Sequence, residues 1–135
     1  MRESMSRTVV VSTSPSGRVR QDVTVGPHEL TGDEPTEGGG DDAGPNPFEY
    51  LLVALGTCTS MTIKMYTDRK GWPLRGVRVQ VVGARKEQAY AIARTIHLDG
   101  DLDAEQRARV LQIANKCPMH ETLTGKIEIE SELSD

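Results

Sequence analysis

NPFEYLLVALGTCTSMTIKMYTDRKGWP, Asn46 to Pro73, carries a start signal at one end, a stop signal at the other and a helical apolar period between them. Asn46 is a preferred N-cap residue, Pro47 suits the first helical position, and Glu49 stands where an N-x-x-E capping arrangement needs it. Leu51, Leu52, Leu55, Cys58, Thr59, Thr62, Met65 and Tyr66 recur at i, i+1, i+4, i+7 and i+8. That spacing predicts one helical face from Asn46 to about Lys70, with Cys58 inside it. Val53, Ala54, Met61 and Ile63 make other sides apolar too, which predicts burial on more than one side. Gly71 stops the helix and Pro73 prevents its continuation.

Upstream, Thr8 to Ser12 and Arg18 to Val25 read as strands joined by a Ser-Pro-Ser-Gly turn, with a short strand from His28 to Thr31 after them. Gly32 to Gly44 is a Gly- and acid-rich loop of a length that is usually functional or mobile. Its entrance holds His28, Asp33 and Glu34, which fit a solvated polar turn. Downstream, Gly76 to Gly83, running on toward Lys86, alternates as a half-buried strand, and Ala91 to Leu98 reads as its hairpin partner. A second helix starts near Asp103, where Gln106 completes a capping box. It presents Val110, Ile113, Ala114 and Cys117 on one face. Pro118 breaks it and opens a short turn through Leu123. Lys126 to Leu133 alternates Ile127 and Ile129 with charged residues, as an edge strand would. The order β-β-β-α-β-β-α-β predicts a single α+β domain over 1–135, with an antiparallel sheet wrapped on a long central helix.

Composition narrows the function classes. A net charge of −4 argues against a general nucleic-acid binder, which needs a basic surface. No apolar run approaches a membrane span and no signal peptide opens the chain, so a cytoplasmic protein is expected. With 36% apolar residues in 135, the core is lean, and part of the burial is expected from a partner chain. There are two cysteines, Cys58 and Cys117. In a reducing compartment they read as free thiols or a transient redox pair rather than a structural bridge.

Taken alone, each candidate residue has a bland reading beside a chemical one. Cys58 fits a small buried hydrophobe, yet Gly56, Thr57, Thr59 and Ser60 leave space and hydrogen-bond donors near its sulfur. Cys117 closes the apolar face of the second helix, but before Pro118 it can also N-cap the next turn, where amides favour a thiolate. His120 lies three residues on and could make half of a metal site with Cys117. No second close ligand pair accompanies them, and no metal or cofactor is expected. Glu49 is explained by the capping box. It lies nine residues before Cys58, roughly 14 Å along the axis and on the opposite side.

GPNPFEYLLVALGTCTSMTIKMY (Gly44–Tyr66) strongly resembles the central-helix signature of the OsmC/Ohr family, and CPMHETL (Cys117–Leu123) resembles that family's second cysteine motif. DRKGWPL, HELTGDEP and GGGDDAGP are similar to one OsmC-like branch, and the resemblance runs from about Val23 to Leu133. It implies an OsmC-like fold in an intertwined homodimer, with Cys58 as the peroxidatic thiol and Cys117 as the resolving thiol. It implies reduction of organic hydroperoxides, with an external dithiol reductant, a lipoyl-bearing protein in one branch. The family's peroxidases also use an arginine to stabilise the thiolate and a glutamate to hold that arginine. Arg18 stands at about the family distance before the helix, with Arg20 as the fallback. The glutamate of the better-known branch directly follows Asn-Pro, where this chain has Phe48; Glu49 is one residue later, turned by about 100°. Two readings compete with hydroperoxide reduction: an OsmC-fold binding module for an apolar small molecule, and a metal site at Cys58, Cys117 and His120.

Overall fold

The computed structural model describes residues 5–134, and the chain divides into two compact units between Leu51 and Leu52. In the first unit, β1 (Val9–Thr13), β2 (Gln21–Val25) and β3 (His28–Gly32) form an antiparallel sheet in the order β1-β2-β3. Val9 pairs with Val25, and Val25 with His28 across the tight Gly26-Pro27 turn. β2 begins three residues later than the alternation predicts. Gly17, at φ +84°, bends the chain through Arg18, and the Ser14 amide closes that loop on the Arg20 carbonyl at 2.9 Å.

The long loop after β3 is built around Asp33. This residue is only 4% exposed, so the solvated turn expected there is replaced by a buried carboxylate. It accepts backbone N–H bonds from Glu34 (2.8 Å), Ala43 (3.0 Å) and Asp41 (3.2 Å), which is why burial is tolerated. The Ala43 amide first, with the Glu34 and Asp41 amides and the Arg20 charge, holds the carboxyl below its ordinary range against desolvation. Gly40 is required by the close approach: a Cβ there would meet the Glu34 carbonyl and the Asp33 carboxylate.

Helix α1 (Pro47–Lys70) starts in the first unit and runs through the second. Its start is the reciprocal box the sequence predicts. Asn46 Oδ1 accepts the Glu49 amide and Glu49 Oε1 accepts the Asn46 amide, both at 2.8 Å. Its end is a Schellman motif. Gly71 takes φ +71°, the Gly71 amide bonds Asp68 O, and the Trp72 amide bonds Thr67 O. The buried stripe is Leu55, Thr59, Ile63 and Thr67, at strict i+4 spacing. This corrects the predicted face. Cys58 is half-buried at the margin of the stripe, and Met65 is exposed. Threonines at the centre satisfy their hydroxyls internally, so polarity did not keep them out of the core.

In the second unit, β4 (Leu74–Lys86) and β5 (Ala89–Gly100) form a long antiparallel hairpin, separate from the first sheet. Helix α2 (Ala104–Ala114) follows, with Asp103 and Gln106 in a complete capping box, and then α3 (Pro118–Leu123). Ile63, Leu74, Leu102, Val110 and Ala114 are the buried core, with Trp72, Val77, Ile96 and Leu98 packed on it. Ile113 is only half-buried. The final strand expected from Lys126 to Leu133 does not form: the segment carries no regular structure, and Ile129 is 84% exposed. Alternation supplies an amphipathic ribbon, but a strand also needs a neighbouring edge to bond, and among the described residues this segment pairs with none. Among the described residues no helix is long and apolar enough to cross a membrane.

Candidate active site at the two thiols

Both cysteines are free thiols in the second unit. Cys117 owes its position to Pro118. Helix α2 ends at Ala114 with Asn115 as its C-cap, the Cys117 amide bonds back to Ala114 O at 3.3 Å, and Cys117 itself is extended (φ −65°, ψ 146°). It thereby becomes the N-cap of α3, and its Sγ accepts the His120 amide at 3.3 Å. The residue is fully buried.

The wall opposite this sulfur is the buried stripe of α1. Thr59 Oγ1 lies 3.7 Å from Cys117 Sγ and donates its proton to Leu55 O at 2.7 Å. A hydroxyl has one proton and two lone pairs. With the proton on Leu55 O, Thr59 meets Cys117 as an acceptor of the thiol S–H. The other lone pair takes Arg94, whose Nη1 donates to Thr59 Oγ1 at 2.8 Å and to Ala114 O at 3.2 Å. Arg94 Nη2 donates to Asn115 Oδ1 at 2.8 Å. His120 Nδ1 sits 2.7 Å from Asn115 O, so the α2–α3 corner is held from both sides.

Cys58 precedes Thr59 by one residue, and its Sγ lies 4.0 Å from Thr62 Oγ1. Its small and hydroxylated neighbours Gly56, Thr57 and Ser60 line an open groove with Leu52, Met61 and Val81. A second cavity of about 350 Å³ lies beside Arg94, Asn115 and His120, with Leu55, Ile92, Ile96, Leu111 and Leu123 as its apolar wall.

The other residues singled out in the sequence have different surroundings. Glu49 is held in the helix cap. Arg18 belongs to the first unit; its Nη1 donates to Gly40 O at 3.3 Å and its amide to Asp41 Oδ2 at 2.9 Å. Arg20 lies by Asp33, with its Nε buried and unpaired. Among the described residues no three His, Cys, Asp or Glu side chains gather as a metal-holding group, so Cys58, Cys117 and His120 do not form one.

Arg94 is the site residue that pattern reading passes over, while Thr59, read as a hydroxyl neighbour of Cys58, turns to Cys117 instead. A signal was present in β5. Ile92, Arg94, Ile96 and Leu98 share the half-buried register of the strand, so an arginine occupies an apolar position. A charge in that register needs partners, and the Thr59 hydroxyl, Ala114 carbonyl and Asn115 amide supply them.

Known proteins resemble this arrangement in fold. The OsmC-like protein of Mycoplasma pneumoniae superposes with a TM-score of 0.76 at 16% identity, over 91% of this chain and 90% of that one. The organic hydroperoxide resistance protein OhrB of Bacillus subtilis gives 0.62 at 18%, over 96% and 98%. A Vibrio cholerae organic hydroperoxide resistance protein, with captopril bound in one of its active sites, gives 0.67 at 21%, over 95% and 90%. No curated protein sequence matches the chain. The family model described as OsmC-like protein matches residues 39–132, which include α1, the β4–β5 hairpin and both cysteines. With its α+β order, antiparallel sheets and long helix, the chain belongs to the OsmC/Ohr family.

Proposed function

We propose that the protein is a cytoplasmic thiol peroxidase that reduces organic hydroperoxides through Cys58 and Cys117. The observation that carries the reading is the approach of Cys117 Sγ to the hydroxyl of Thr59, immediately after Cys58. It brings the second thiol to the same turn of α1 as the first. Cys58, the more accessible sulfur, attacks the terminal peroxide oxygen as a thiolate. The O–O bond breaks, the alkoxide takes a proton and leaves as an alcohol, and Cys58 becomes a sulfenic acid. Cys117 sulfur then attacks Cys58 sulfur. The S–O bond breaks, and the leaving hydroxide takes up the Cys117 proton as water. A dithiol reductant, with a lipoyl-bearing protein as one candidate, reopens the disulfide by exchange.

The apolar side chains of Leu52, Met61 and Val81 in the groove formed by the neighbours of Cys58 support an organic peroxide over hydrogen peroxide. The working unit is proposed to be a homodimer, supported by exposed Val53, Met61 and Met65 along α1. Reduced protein mixed with cumene hydroperoxide should consume it, and Cys58→Ser should not. Equal consumption by both would remove Cys58 from the reaction. The cavity beside Arg94, with its apolar wall of Leu55, Ile92, Ile96, Leu111 and Leu123, favours a second reading, a binding module for an apolar small molecule, in which ligand would bind while both thiols stay reduced.

A further inference from the structure

We infer that Arg94 is a positioning residue for the resolving thiol, acting on Cys117 through the Thr59 hydroxyl; the inference rests on Cys117 attacking Cys58 in the proposed cycle. Cys117 is fully buried, so charge developing on its sulfur during attack has no bulk water to meet it. Its fixed donor is the His120 amide at 3.3 Å. A second donor is available by a single rotation. As the S–H proton leaves, the Thr59 O–H turns from Leu55 O, 2.7 Å away, to the sulfur at 3.7 Å. Leu55 O loses little, because as a helical carbonyl it also accepts the backbone N–H four residues on.

Arg94 is what makes that rotation productive. Its Nη1 occupies one lone pair of Thr59 Oγ1 at 2.8 Å before and after the turn. A cationic donor on the oxygen polarises the O–H and strengthens the bond it gives to the sulfur. The guanidinium cannot wander, since Ala114 O and Asn115 Oδ1 hold its other donors at 3.2 and 2.8 Å. Both acceptors lie on the α2 end that leads to Cys117, so the same residue fixes the sulfur's backbone and conditions its chemistry. The proton and electron balance is that of the resolving step: one S–S bond forms, one S–O bond breaks, and Arg94 gives up no proton.

The test uses 5,5′-dithiobis(2-nitrobenzoate) rather than peroxide, so that it reads Cys117 as a nucleophile on its own. The accessible Cys58 exchanges first and releases one thionitrobenzoate. Cys117 then displaces the second from Cys58 in a first-order phase. Arg94→Met and Thr59→Val should each slow that second phase by about ten- to a hundredfold, the range for losing a charge-assisted hydrogen bond. The first phase should stay within about twofold, and the double variant should be no slower than either single one. Arg94→Lys and Thr59→Ser should recover part of the rate, which a purely structural role would not give. An unchanged second phase in either single variant overturns the inference, and so does equal slowing of both phases or a wild type that releases only one thionitrobenzoate. A wild type that shows both phases yet leaves organic hydroperoxide intact would sink the peroxidase reading while the Arg94 result stands.

Discussion

Cys117 Sγ lies 3.7 Å from the hydroxyl of Thr59, the residue that follows Cys58 in α1. Three separate sequence features produce that approach. The i+4 stripe turns Thr59 into the core, Pro118 ends α2 and makes Cys117 a cap, and Arg94 sits in the apolar register of β5. The two thiols therefore stand in unlike settings, one half-buried on a helix flank and one buried between the His120 amide and the Thr59 hydroxyl.

Unlike settings imply unlike failures. Cys58→Ser should leave Cys117 a thiol after organic hydroperoxide is added. Cys117→Ser should consume about one peroxide per chain and stop at a sulfenic acid that dimedone traps. Excess peroxide should then overoxidise that variant, since no thiol competes for the sulfenate. Equal dimedone labelling of the two variants would show that the roles are not divided this way.

Glu49 can be separated from the chemistry by its cap. Glutamine also completes a capping box, so Glu49→Gln should keep both stability and peroxide turnover close to wild type. Asn46→Ala removes the acceptor for the Glu49 amide and should cost about 1 kcal/mol in urea unfolding. Lost turnover in Glu49→Gln at unchanged stability would give the carboxylate a catalytic duty instead.

Asp33 predicts an acid dependence with a definite sign. Its carboxyl is held below the ordinary value of 3.8, chiefly by the Ala43 amide. A lowered carboxyl stabilises the fold fully above its unfolded value, and that contribution is lost as pH falls through the lowered one. Asp33→Asn should therefore melt below wild type at neutral pH, and the gap should close as the solution is acidified below 3.8. A gap that is constant with pH would mean that the loop does not depend on the charge.

The exposed apolar residues predict assembly. Val53, Met61 and Met65 recur along one side of α1, and Ile127, Ile129 and Leu133 line the unpaired C-terminal ribbon. Light scattering at micromolar concentration should give twice the chain mass of 14.8 kDa. A single-chain mass with native circular dichroism would contradict the homodimer. Met61→Asp should shift the native protein toward single chains.

Much of this architecture was legible in the chain. Both capping boxes, the Gly71 stop and the Cys117-Pro118 cap were readable because caps are local and depend on a few side chains at fixed spacing. The stripe of α1 was less so. Hydrophobicity points to Leu51, Leu52 and Met65, whereas the buried line runs through two threonines that bond their own helix. The C-terminal ribbon shows the opposite limit, since alternation cannot say whether a neighbouring edge exists. Arg94 was hidden because its partners come from α1 and from the end of α2, 35 and 20 residues away.

A redox cycle confined to two sulfurs can be read by counting thiols on the wild type. Reduced protein should be treated with one equivalent of cumene hydroperoxide per chain, and free thiols counted before and after. Two thiols should disappear for each peroxide consumed, with an intramolecular Cys58–Cys117 disulfide in non-reducing peptide maps. Two thiols per chain remaining while the peroxide persists would contradict it.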